Sequence, residues 1–145
     1  MKNTTARATG ALIALAAVAV LTLGPRAVVA PARSFFTEIA DAVIAPFASV
    51  IPYGDDRALN AMLFVPLGAA LGMLLARRWW PLAIVAGLGV SAAVEWAQIA
   101  IPGRVPDPHD VLWNTLGAAV GAIGVAVIRG TVAASVRYAG RTTRT

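Results

Sequence analysis

Leu82–Ile101 reads LAIVAGLGVSAAVEWAQIAI. At about 20 residues it is long enough to cross a hydrocarbon core roughly 30 Å thick as one helix. Glu95 and Gln98 interrupt it. Taking a carboxylate out of water is costly unless it is neutralised or given partners. The stretch therefore sets the fold class as a membrane helix and marks Glu95 as a residue with something to receive it.

Three more runs resemble this one. Ala8–Gly24 follows Lys2 and Arg7, Leu59–Ala76 stops against Arg77-Arg78-Trp79-Trp80, and Val111–Ile128 gives way to a tail with Arg129, Arg137, Arg141 and Arg144. Basic residues and tryptophans beside apolar runs are the usual anchors at a membrane surface. The composition agrees. Of the 145 residues, 59% are hydrophobic and 13% charged, against roughly 45–50% and 25% in soluble domains. Mean hydropathy is +0.75.

The expected fold is an all-α membrane protein of about four transmembrane helices. An outer interfacial helix should lie between the first and second, where Phe36, Ile39, Ala40, Val43, Ile44 and Phe47 recur at helical spacing beside Ser34, Glu38 and Asp41. Pro46 and the two acids argue against a fifth span. Three parts follow: residues 1–55 with the first helix and the amphipathic segment, a core over 56–129, and a basic tail over 130–145, expected to be disordered after Gly140. Residues 1–32 have a rival reading as a cleaved signal peptide, with Ala30-Pro31-Ala32 as the small-residue site. The length of the run and the early Pro25-Arg26 favour a retained helix.

Orientation follows from Lys and Arg. With the N-terminus in the cytoplasm, Lys2, Arg7, Arg77, Arg78, Arg129, Arg137, Arg141 and Arg144 fall inside, against Arg26, Arg33, Arg57 and Arg104 outside. Both termini are therefore expected in the cytoplasm of a multi-pass protein. The net charge of +5 is dispersed, without the basic patch and interleaved aromatics of a nucleic-acid surface, so no nucleic-acid partner is expected. No cysteine is present, which excludes disulfides and thiol chemistry.

Placed by depth, the polar residues of the runs gather on the outer side. Asn60 sits where the second helix begins. Ser91, Glu95 and Gln98 share one face of the third. Arg104 and Asp107 occupy the loop above, and Asp110 and Asn114 the first turns of the fourth. Arg104 is the basic residue near the depth of Glu95 and its expected partner. Asp107 before Pro108 also reads as a helix N-cap, with Asp110 suited to the helix dipole. Asp107, His109 and Asp110 are too few to define a metal site, and no metal or cofactor is expected. Gly68-xxx-Gly72 and Gly117-xxx-Gly121, the second continued by Gly124, are small-residue patterns that let helices approach closely.

Three motifs in order, Asn60-x3-Phe64-x-Pro66-x-Gly68, Ser91-x3-Glu95-x2-Gln98 and Arg104-x2-Asp107-x2-Asp110-x3-Asn114-x2-Gly117-x3-Gly121, resemble the VanZ-like family over about Asn60 to Gly124. The resemblance implies a small bacterial integral membrane protein of the cell envelope. The family's namesake is associated with low-level resistance to the glycopeptide teicoplanin, and the resemblance carries no settled catalytic residue or cofactor. The expected function is an envelope module rather than an enzyme. Its outward polar site would take a lipid-linked or glycopeptide ligand, and a homo-oligomer built on the glycines is compatible with it. The alternatives are an intramembrane enzyme on a lipid-linked substrate with Glu95 as acid or base, and a small transporter subunit.

Overall fold

The structure is a computed structural model and describes residues 2–44 and 56–142. Among these residues the regular structure is helical throughout: α1 Lys2–Leu23, α2 Arg26–Ile44, α3 Asp56–Leu74, a 3-10 turn over Arg77–Trp79, α4 Pro81–Gln98 and α5 Pro108–Thr142. Proline punctuates the chain, because it supplies no N–H and is best tolerated in a helix's first turn. Pro25 follows the end of α1, Pro81 opens α4, and Pro108 opens α5. In the turn after α4, Gly103 adopts φ 79°, a left-handed conformation open to glycine at little cost.

Windows of α1, α3, α4 and α5 are long and apolar enough to cross a membrane. Three contacts fix how they run. Gln98, the last residue of α4, bonds to Thr22 near the end of α1. The short loop 99–107 links α4 directly to α5. Finally, α3 and α5 run parallel, since Ala61 meets Gly117 and Val65 meets Gly121 in ascending register. The ends of α1 and α4 and the starts of α3 and α5 therefore share one end of the bundle, the loop end. The start of α1 and the far end of α5 share the other.

The helix expected between the first and second spans is α2. It begins earlier than the pattern suggested, at Arg26, and Phe47 lies outside the described residues. Because α1 finishes and α3 starts at the loop end, the segment between them makes no net crossing. At the other extreme, α5 does not stop near Ile128. It continues through Arg129 as helix to Thr142, about 52 Å in all and well beyond what a bilayer requires.

The core centres on α3. Phe64 and Leu67 are fully enclosed, with Val18 of α1, Val94 of α4 and Ala118 of α5 around them. The involvement of Val18 makes α1 part of the bundle. The α3–α5 seam is closer than side chains would permit. A Cβ at Gly117 would fall on the carbonyl oxygen of Ala61, one at Gly121 on that of Val65, and one at Gly68 on that of Ala118, while one at Gly72 would lie 3.4 Å from Ala122 Cα. Gly124 departs from the expected stripe, for a Cβ there meets nothing within 4 Å.

Candidate functional site: a polar cluster at the loop end

The buried polar residues Thr22, Asn60, Ser91, Glu95, Gln98 and Asn114 come from four helices, and the run of those helices carries them toward the loop end. Each is placed by helix geometry. Ser91, Glu95 and Gln98 fall on the buried face of α4, as their spacing requires. Asn114 stands one turn before Gly117 on the buried face of α5, and Asn60 immediately precedes Ala61, which Gly117 touches. The close backbone seam thus ends at the loop end in two asparagines.

Specific bonds knit the cluster. Asn114 Nδ2 donates to Ser91 Oγ at 2.9 Å, joining α5 to α4. Gln98 Nε2 donates to the carbonyl oxygen of Thr22 at 3.2 Å, joining α4 to α1. Glu95 Oε2 accepts the backbone N–H of Asp107 at 2.9 Å, tying the loop down onto α4. Among the fully buried side-chain nitrogen and oxygen atoms of the described residues, one is without a protein partner, Asn114 Oδ1, in a residue that is 97% buried.

Arg104 is not the group that receives Glu95. Among the described residues there is no ion pair between them, and the Arg104 side chain lines a separate cleft with Leu23, Pro25 and Pro102. The loop approaches the carboxylate through its backbone instead. An amide directed by the chain's own turn needs no ordering of a long side chain, whereas an arginine reaching down loses rotamer freedom.

Asp107 fills the N-cap position that its place before Pro108 predicts. Its Oδ1 accepts the backbone N–H of His109 at 2.8 Å and lies 2.9 Å from His109 Nδ1. The first of these bonds, aided by the second, holds the Asp107 carboxyl below its ordinary pKa. Asp110 stands half-buried in the first turn of α5. No group of three or more His, Cys, Asp or Glu able to hold a metal occurs among the described residues.

Two polar contacts escaped the sequence reading, one in the cluster and one at the opposite end of the bundle. Thr22 enters through its carbonyl oxygen, and its hydroxyl donates back to Val18 O at 2.7 Å, so its side chain gave no signal of the contact with Gln98. Arg129, read as part of a tail, donates from Nη1 to the carbonyl oxygens of Gly72 and Leu75 at 3.0 and 2.9 Å. It satisfies carbonyls that the end of α3 leaves open. A cation capping a helix from a different helix leaves no local sequence pattern.

Four long apolar helices with a polar cluster at one end define a small multi-pass membrane protein. The sequence profile of the VanZ/LLP1 family matches residues 9–129, and the chain belongs to this family. The match takes in α1 from residue 9 onward and α2, as well as the three motifs. No curated protein and no solved structure matches the chain.

Proposed function

We propose that the chain is a non-enzymatic module of the bacterial cytoplasmic membrane. Both termini lie in the cytoplasm and the loop end faces outward, where the polar cluster receives a lipid-linked or glycopeptide component of the envelope. Asn114 carries this reading: a buried acceptor without a protein partner costs roughly 1–3 kcal/mol, and it stands among other polar groups. A donor from outside the protein would remove that cost. The excess of Lys and Arg beside the opposite end supports the orientation. Glycopeptide resistance of the teicoplanin type is one envelope role that such a site would serve.

The test is complementation of a gene deletion, scored on sensitivity to teicoplanin and to other cell-wall inhibitors. Wild-type protein restores the deletion's phenotype. Glu95→Gln, which keeps shape and hydrogen bonding but not charge, inserts at equal level and fails, as does Asn114→Leu. Full complementation by both variants would reduce the cluster to packing. Because the chain has no native cysteine, a single one at Val105 should react with an impermeant maleimide in intact cells, and one at Thr142 only after lysis. Turnover of a lipid-linked substrate by purified protein, lost in Glu95→Gln, would instead favour the enzyme.

A further inference from the structure

At the loop end, the last turn of α1 and the turn after α4 enclose an open cleft of about 320 Å³, lined by Leu23, Gly24, Pro25, Ile101, Pro102 and Arg104. Among the described residues, Arg104 is the one charged residue in this lining. A second hollow of about 220 Å³ lies between α1 and α4, walled by Leu15, Val18 and Ala19 on one side and Val90, Ala93 and Val94 on the other. Leu23 lines both, so the hollows adjoin. From Leu23 to Leu15 the groove follows α1 for about 12 Å.

The backbone shapes this pair of hollows. The bond from Gln98 Nε2 to Thr22 O fastens α4 to α1 beside the shared leucine. Gly24 forms one rim, and a Cβ there would fall on the Val20 carbonyl oxygen. Gly103 turns the opposite rim at φ 79°. The cleft stands at the ends of two membrane-crossing helices, the level of the lipid headgroups.

We propose that the two hollows form a single binding site for a phosphate-headed lipid, with the phosphate on Arg104 and one alkyl chain between α1 and α4. A guanidinium matches phosphate oxygens with paired N–H donors. Among the described residues no carboxylate pairs with this one, and none lines the cleft. The groove below is apolar along both walls. In a membrane it contributes packing and orientation more than transfer energy, since the surrounding lipid is equally apolar. Selection therefore rests on the head. The site is distinct from the Glu95–Asn114 cluster and does not depend on the role proposed for it.

The experiment uses full-length protein in neutral maltoside micelles, with bound ligand read by native mass spectrometry. The probes are short-chain phosphatidic acid, diacylglycerol with the same chains, and inorganic phosphate. Phosphatidic acid should bind at least about tenfold more tightly than diacylglycerol, the scale of one charge-assisted hydrogen bond. Arg104→Gln should bring it to the neutral lipid's level, whereas Arg78→Gln, at the other end of the bundle, should leave it unchanged. Ala93→Phe fills the groove without touching Arg104, and it should weaken phosphatidic acid while leaving inorganic phosphate as weak as before. Equal binding of the two lipids to wild-type protein overturns the proposal and requires no variant. Unchanged binding in Arg104→Gln and Ala93→Phe also overturns it, and inorganic phosphate binding as tightly as the lipid overturns the assignment to a lipid.

Discussion

Along α3 and α5, the lower seam and the loop end are joined in different ways. From Gly117 toward Arg129 the helices meet backbone to backbone, with glycines against Ala61, Val65, Ala118 and Ala122, and the seam closes where Arg129 holds the last carbonyls of α3. Toward the loop end the glycines cease and contacts pass to side-chain hydrogen bonds, among them Asn114 to Ser91 from α5 to α4 and Gln98 to Thr22 from α4 to α1. In lipid there is little hydrophobic gain in bringing two helices together, so close packing and hydrogen bonding must do it. The seam uses the first, and at Gly68, Gly117 and Gly121 it leaves no room even for a Cβ. The loop end uses the second, and there the structure leaves an unpartnered acceptor and two hollows. Backbone packing and polar contacts are thus divided along the length of the bundle.

The strongest way to break that division is to put side chains into the seam. Gly117→Leu and Gly121→Leu should each destabilise the protein by about 3 kcal/mol, because the obstacle is backbone that cannot move aside. Gly124→Ala, facing open space, should stay within about 0.5 kcal/mol of wild type. Reversible unfolding in mixed detergent micelles reads both, and equal losses would show that the seam does not run through Gly117 and Gly121.

A smaller effect sharpens the other side. Ser91→Ala and Asn114→Ala should show a coupling energy of about 0.6–1.7 kcal/mol in a double-mutant cycle, the range for hydrogen bonds between membrane helices. Strict additivity would deny that this bond holds α4 to α5. The smallest effect concerns the cap of α5. The Asp107 carboxyl has a lowered pKa in the folded protein, so its stabilising contribution is complete above the unfolded pKa and is lost as pH falls through the folded one. Thermal stability measured down the acid range should therefore decline more in wild type than in Asp107→Asn, which caps without titrating. Parallel pH profiles would remove the carboxylate from the cap.

Much of the site was legible in advance, for identifiable reasons. Ser91, Glu95 and Gln98 share a face because a helix repeats every 3.6 residues, and a membrane span can hide a carboxylate only on its protein side. Asp107 before Pro108 specifies a cap through local geometry alone. The misreadings were of longer range. Arg104 was expected on Glu95 because a cation is the obvious partner for an anion, yet the partner is a main-chain N–H, a group that every residue except proline carries and that no sequence pattern distinguishes. The end expected near Ile128 failed in the same way. Val132 and Val136 keep the run apolar and helix-compatible, no proline interrupts it before Thr142, and Gly130, which after Arg129 has the form of a helix-ending glycine, stays within the helix.

What the sequence determined by itself is what one-dimensional periodicity and composition can carry: four apolar helices, their breaks at proline, the small-residue faces, and the collection of polar residues toward one end. Tertiary structure decided which groups meet. It set Ala61 against Gly117 and Val65 against Gly121, chose Asp107 N–H for Glu95 and Thr22 O for Gln98, turned Arg129 back onto α3 and Arg104 into its cleft, and left Asn114 Oδ1 open. The physical reason is that a hydrogen bond or a backbone contact depends on the relative rotation and height of two helices. Many distant contacts fix those quantities jointly, and no single segment encodes them.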